Sequence, residues 1–330
     1  MNSASGDVRA TDVHWGGGMK RFVSMLLRFL IPCASLLGLL GVAAFFTERN
    51  CYLDRIRLPP GVKFVAVGDS QPGCNIDPSA WPEVANQACT ALSMEQALYK
   101  VRDLVRVNAS NDFTVILDVS PLRLSKPLMP LVVADYESRY SILNYMNVVD
   151  SRRRLGDPIK LFRDRVAKNA FHIATGRKFH KKKRRADVSP RTAWGGFDAC
   201  QKALYVEDPV KAESDTRDYA SMIVDIYGDA DAEERNLPIL SEIVETVKAA
   251  GKRIVLTTTP WHKSLAAQVP VEVPTRFRKT MSKFAAAHDV VWLDFLNLDL
   301  EDGDFVNQNH LNEVGAVKFT RCLRRQLEGR

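Results

Sequence analysis

The sequence predicts a three-layer α/β/α sandwich on a largely parallel sheet, and three observations carry that expectation. Short apolar runs alternate with stretches of helical period, first from Lys63 to Val119 and again from Asn236 to Leu327. The runs are close to continuously apolar, as strands covered on both faces require. Hydrophobic residues make up 46% of the 330-residue chain, enough to fill the core of one large domain.

Taken in order, Lys63–Val67 reads as the first buried strand. Ser93 then opens a helix, with Gln96 three residues later to complete a capping box. Met94, Ala97, Leu98, Val101, Leu104 and Val105 follow the helical period. Phe113–Val119 is the next strand. In the second half, Asn236–Ala250 is a helix closed by Gly251, Arg253–Thr258 a strand, Thr275–His288 a helix and Val290–Phe295 a strand. Asn312–Leu327 closes the chain as a helix with Val314, Val317, Leu323 and Leu327 among its apolar positions.

Residues 121–235 break this rhythm. They hold a helix expected over Asp157–Phe171, the tyrosines Tyr136, Tyr140 and Tyr145, and the aromatic turn Trp194-Gly195-Gly196-Phe197. So long an insertion within one domain suggests a lid or a substrate platform.

The amino-terminal end is of another kind. Phe29–Phe46 carries no charge and as a helix covers about 27 Å, close to the hydrocarbon thickness of a bilayer. Phe45-Phe46-Thr47 offers no small-x-small cleavage site. The expected organisation is a cytoplasmic tail (1–21), an uncleaved transmembrane signal-anchor (22–46), a linker (47–60) and a domain (61–330) with its insertion (121–235). Arg9, Lys20, Arg21 and Arg28 lie before or within the apolar span and Arg49, Arg55 and Arg57 follow it, a balance that favours a cytoplasmic tail by a small margin. The domain is then expected outside the cytoplasm, in the periplasm of a Gram-negative cell.

Six cysteines, with Cys33 inside the apolar span, leave five elsewhere: Cys51, Cys74, Cys89, Cys200 and Cys322. Their spacing fits neither a zinc site nor a disulfide-built fold. The net charge of +7 is local, because Arg177, Lys178, Lys181, Lys182, Lys183, Arg184 and Arg185 supply seven positive charges without an acid among them. Such a run is either a solvated loop or a contact for anionic headgroups or an anionic glycan, and a domain facing outward excludes nucleic acid. There is no Walker loop and no dinucleotide fingerprint, so no cofactor is expected. Asp294, Asp299, Glu301, Asp302 and Asp304 read as solvated turn residues rather than a metal site, and His172 and His180 fall in the insertion.

Two features carry chemistry. The first strand stops at Gly68-Asp69-Ser70-Gln71, which sets a hydroxyl at the carboxyl edge of the sheet, where open α/β sheets hold ligands. Near the far end, Asn309-His310-Leu311-Asn312 opens the last helix and returns an imidazole to the same edge. A serine is a weak nucleophile until a base takes its proton, so the pair points to acyl chemistry.

These blocks resemble the SGNH, or GDSL-type, hydrolase superfamily. The tail resembles a membrane-anchored branch of it that includes relatives of the alginate O-acetyltransferases and of a protein of teichoic-acid D-alanylation. The residues concerned are Val67-Gly68-Asp69-Ser70, Val291–Phe295, Phe305–Asn312, Gly315-Ala316 and Phe319-Thr320. The resemblance spans Phe64 to about Asn111 and Asn236 to Leu327, and leaves out the insertion. It implies a flavodoxin-like parallel sheet, Ser70 as nucleophile and His310 as base. It further implies transfer or removal of an acyl group, most plausibly acetyl, on a cell-surface or secreted glycan, beside a multispanning membrane protein that donates the acyl group.

The family's third residue, an aspartate three positions before the histidine, is Asn307 here. Asp304 from the same loop, a backbone carbonyl, or a non-catalytic glycan-binding or assembly role are the alternatives. For the oxyanion, the resemblance implies the Ser70 amide, Ala91 in place of a glycine, and Ser120 near the position of an asparagine.

Overall fold

The computed structural model describes residues 21–33, 35, 36, 38, 39, 43, 56–88, 92–125, 203–227 and 230–329, the side chains of 125, 227 and 230–235 excepted. Five parallel strands form the sheet: β1 (Phe64–Val67), β2 (Val84–Asn86), β3 (Thr114–Asp118), β4 (Arg253–Thr258) and β5 (Val291–Asp294). Their spatial order is β2-β1-β3-β4-β5. The chain steps from β1 to one side and then to the other, so the carboxyl ends of β1 and β3 flank the point where the order reverses. That crevice is where such sheets bind ligands.

Side chains alternate across the sheet as the strand pleat dictates. Val65, Val67, Val115, Leu117, Ile254 and Leu256 enter one core cluster. Ala66, Ile116, Val255 and Leu293 enter a second, on the opposite face. The first is closed by α2 (Met94–Val107), α6 (Ala230–Ala249) and α8 (Glu272–Ala287). The second is closed by α9 (Glu313–Glu328), whose Ala316, Phe319 and Leu323 recur at helical spacing. Helices on both faces of a parallel sheet make the three layers expected.

Caps and turns follow the residues that signal them. Ser93 and Gln96 form a reciprocal capping box at α2. Gly251 adopts φ +69 after α6, a conformation that favours glycine. Asn108, past the end of α2, accepts from Leu58 N at 2.8 Å and donates to Ile56 O at 3.0 Å. This ties buried Ile56 and Leu58, the last part of the expected linker, to the domain.

The sequence pattern missed several short or polar elements. These are α1 (Ser70–Asn75), the edge strand β2, α3 (Pro121–Ser125), α4 (Leu204–Glu207), α5 (Pro209–Tyr227), α7 (Lys263–Gln268), and the antiparallel pair β6 (Phe305–Asn307) and β7 (His310–Leu311). Within the expected insertion, α4 and α5 pack onto the sandwich: Ala220 and Ile223 join the first cluster, Tyr205 and Ala212 the second. The expected Asp157–Phe171 helix, the aromatic residues Tyr136, Tyr140, Tyr145, Trp194 and Phe197, the basic run 177–185 and Ala91 lie outside the described residues.

Of the expected span 22–46, residues 22–33, 35, 36, 38, 39 and 43 are helical. Phe22, Met25, Phe29 and Ile31 each leave more than half their surface exposed there. Among the described residues no helix is long and apolar enough to cross a membrane.

Candidate active site

Ser70 is the first residue of α1. Its neighbour Asp69 caps that helix, accepting from Gln71 N at 2.8 Å. The turn is fastened from below by Asn86 at the end of β2. The Asn86 Nδ2 donates to Pro72 O at 2.7 Å and Ile76 O at 2.8 Å, while Oδ1 accepts from Ala88 N at 3.0 Å. The hydroxyl thus sits on a short, rigid turn at the carboxyl end of β1.

His310 comes to it from the β6–β7 pair. His310 Nε2 lies 2.8 Å from Ser70 Oγ, and Nδ1 lies 2.9 Å from Asn307 Oδ1. The asparagine's orientation is set by chemistry, because the same Oδ1 accepts the backbone N–H of His310 at 3.0 Å and of Asn309 at 3.2 Å. Backbone N–H groups are donors only, so the atom facing them is the carbonyl oxygen. It follows that imidazole Nδ1 carries the proton and Nε2 offers its lone pair to the Ser70 hydroxyl. Asn307 therefore fixes the tautomer that a general base needs. It lacks the negative charge that stabilises imidazolium.

Two of the sequence's candidates are engaged by other partners. Asp304 is buried and paired with Lys318 Nζ at 2.8 Å, and it accepts from Glu301 N at 3.0 Å, so it is not the imidazole's partner. Ser120 is buried at the start of α3, where its Oγ accepts from Arg123 N at 3.2 Å as a helix cap. The acidic loop is largely ion-paired rather than simply solvated: Asp294 with Arg278 at 2.6 Å, Asp302 with Lys263 at 2.6 Å, and Asp304 with Lys318. His262, unremarked in the sequence, accepts from Ser264 N and is stacked on Tyr205 at 3.5 Å, and burial lowers its pKa. It belongs to the packing of α4 and α7.

Beneath the Ser70 turn lies an ionisable pair that the sequence pattern did not single out. Asp118, at the end of β3, is fully buried beside Arg123, with Nη1 3.5 Å from Oδ2. Burial, reinforced by the charge of Asp69, pushes the Asp118 carboxyl up to about 8 despite the guanidinium. The unfolded chain ionises this group near its ordinary value of about 3.9, so it binds fewer protons than the folded state between there and about 8. The site's contribution to stability is thus complete below about pH 4 and is lost as pH rises toward 8. Asp118→Asn is expected to flatten that decline, by up to about 1.4 kcal/mol per pH unit, in denaturant midpoints compared at pH 5 and pH 8. An unchanged pH dependence would mean that Asp118 is ionised throughout.

A cleft of about 540 Å³ adjoins the β6–β7 pair, lined by Leu204, Lys211, Asp218, Met222, Asn307 and Gln308 among others. One wall is the residue that holds the imidazole.

The fold and site define a class: a parallel α/β sandwich with a serine–histidine pair at its switch point and an asparagine behind the histidine. No family model matches the chain and no curated protein matches it. Among solved structures, a candidate acylhydrolase from Bacteroides fragilis is similar at 9% identity and a TM-score of 0.42, over 85% of this chain and 95% of that one.

Proposed function

We propose that this protein is a serine-dependent acyl-transfer enzyme, an esterase or O-acyltransferase, with Ser70 as nucleophile and His310 as general base. The observation that carries this reading is the 2.8 Å contact between Ser70 Oγ and an imidazole whose tautomer Asn307 fixes. Ser70 Oγ attacks the ester carbonyl carbon as its proton passes to His310 Nε2. The first-turn N–H of Ser70, which a helix leaves without an intrahelical partner, donates to the oxyanion. The alkoxide leaving group takes the proton from His310 and departs, leaving an acyl-serine. Water or an acceptor hydroxyl then attacks the acyl carbon, gives its proton to His310, and Ser70 recovers it.

The acceptor's place in this reading is the cleft against Asn307, whose mixed apolar and polar lining suits a hydroxyl-rich glycan. The exposed apolar helix at 21–33 supports a membrane-anchored protein, and the charge around it supports an extracytoplasmic domain. An acetyl group, a multispanning acyl donor and anionic partners for the basic run belong to the same proposal by family resemblance.

The test is covalent. Full-length protein treated with a fluorophosphonate is expected to gain one adduct by intact mass, absent in Ser70→Ala. A folded wild-type chain that gains none would favour a non-catalytic glycan-binding role, as the missing carboxylate at Asn307 suggests.

A further inference from the structure

His310 is held from both sides by the segment that carries Ser70. On its carboxyl side, Leu311 N donates to Asn75 Oδ1 at 2.8 Å, from the last residue of α1. On its amino side the tie is relayed. Asn309 Nδ2 donates to Tyr219 Oη at 2.7 Å, and the Gln71 side chain is near enough to the same hydroxyl to favour its ionised form. Gln71 Oε1 accepts from Thr259 Oγ1 at 2.9 Å, which leaves its amide N–H for the phenol. Gln71 directly follows the nucleophile, and Asn309 directly precedes the base. One phenol therefore joins the neighbours of both.

Tyr219 lies on α5, outside the stretches that carry the family resemblance, with its ring against the first core cluster. Burial raises the pKa of its hydroxyl, so it stays protonated and uncharged. Asn309 is 3% exposed, and its Oδ1 has no hydrogen-bond partner among the described residues. The phenol is thus the side-chain anchor of that amide. Without it, a buried amide would be left unpaired, which costs about 1–3 kcal/mol and drives it to reorient. Its backbone N–H shares Asn307 Oδ1 with His310, so the movement reaches the imidazole.

We propose that Tyr219 is a positioning residue, whose hydroxyl holds Ser70 and His310 at hydrogen-bond distance by fixing Gln71 and Asn309 to a common point. This rests on the reading of Ser70 and His310 as nucleophile and base. Misplacement of reacting groups by about 1 Å costs about a hundredfold in rate, so partial loosening has a large readout.

The experiment compares full-length wild type, Tyr219→Phe and Tyr205→Phe. The last removes a comparable buried hydroxyl, 2.5 Å from Thr216 Oγ1, in the packing around His262. Tyr219→Phe is expected to slow fluorophosphonate labelling about tenfold, while Tyr205→Phe leaves it unchanged. In ¹⁵N-histidine spectra the His310 Nε2 resonance is expected to move toward its position in Ser70→Ala. Wild-type labelling with an unmoved resonance in Tyr219→Phe overturns the proposal. If the wild type itself does not label, the nucleophile reading fails and the resonance alone decides the brace. Should Tyr219→Phe not fold, Gln71→Leu removes the other end of the same link. It carries the same expected shift, and an unmoved resonance there is equally decisive.

Discussion

Replacing His310 by alanine is expected to slow covalent labelling of Ser70 by about 10⁴–10⁶-fold, whereas Asn307→Asp is expected to raise it by about ten- to a hundredfold. The two changes separate what the imidazole does from what stands behind it. Alanine removes the imidazole placed 2.8 Å from Ser70 Oγ to take its proton. The effect of aspartate follows from what the asparagine already supplies. In a serine protease, exchanging the triad aspartate for asparagine costs about 10⁴-fold, because the amide selects the wrong tautomer. Here two backbone N–H groups turn the carbonyl oxygen toward Nδ1, so the tautomer is right and only the charge is missing. A carboxylate at that distance favours the protonated ring by about 1–3 pKa units, so the acid limb of the labelling profile moves to higher pH by a similar amount. The comparison therefore belongs on the alkaline plateau. An Asn307→Asp variant no faster there would show that the charge adds nothing. A His310→Ala variant still labelled at the wild-type rate would remove the histidine from the mechanism.

Much of the sandwich was legible in the sequence, for a physical reason. Strands covered on both faces must be apolar throughout, and Phe64–Val67, Thr114–Asp118 and Arg253–Thr258 stand within one residue of the expected ends. The capping box at Ser93 and the glycine at 251 marked their helix ends because no other residue types do those jobs as well. Elements that evaded sequence reading are those whose stability comes from tertiary partners. The edge strand Val84–Asn86 is three residues long, and Ser70–Asn75 contains both Pro72 and Gly73. The long helix Pro209–Tyr227 has a mixed polar composition and buries only a narrow stripe.

The site divides in the same way. Ser70 and His310 carried a signal in their flanking residues, and the fold brings them together across 240 positions of sequence separation. Asn307 was visible only as a departure from a pattern. Its worth lay in which amide atom faces the ring, and that is decided by backbone donors no sequence displays. Asp304 illustrates the converse. A carboxylate three residues from Asn307 is a reasonable candidate on spacing, yet Lys318, one turn into the last helix, claims it. Tyr219, Gln71 and Asn309 come from three separate parts of the chain and have no spacing to reveal them.

Gly315→Ala is expected to destabilise the protein by about 1–3 kcal/mol and to slow labelling of Ser70 by about tenfold or more. A Cβ at this position would lie 2.2 Å from Asp304 O and 3.0 Å from Asp304 Cβ. The obstacle is backbone, which no rotamer change can clear, so α9 and the Asp302–Asp304 turn must part. Asp304 O accepts from Asn312 N at 2.9 Å, the bond that seats the turn on the cap of α9. Asp304 leads directly into Phe305–Asn307, so its displacement carries Asn307 away from the imidazole. Gly303, two residues into the same turn, is the control: a Cβ there meets nothing nearer than Val206 Cγ2 at 4.0 Å. Gly303→Ala should therefore keep both the melting temperature and the labelling rate of the wild type. Equal behaviour of the two alanine variants would show that the close approach of α9 to Asp304 does not set the position of the hairpin bearing His310.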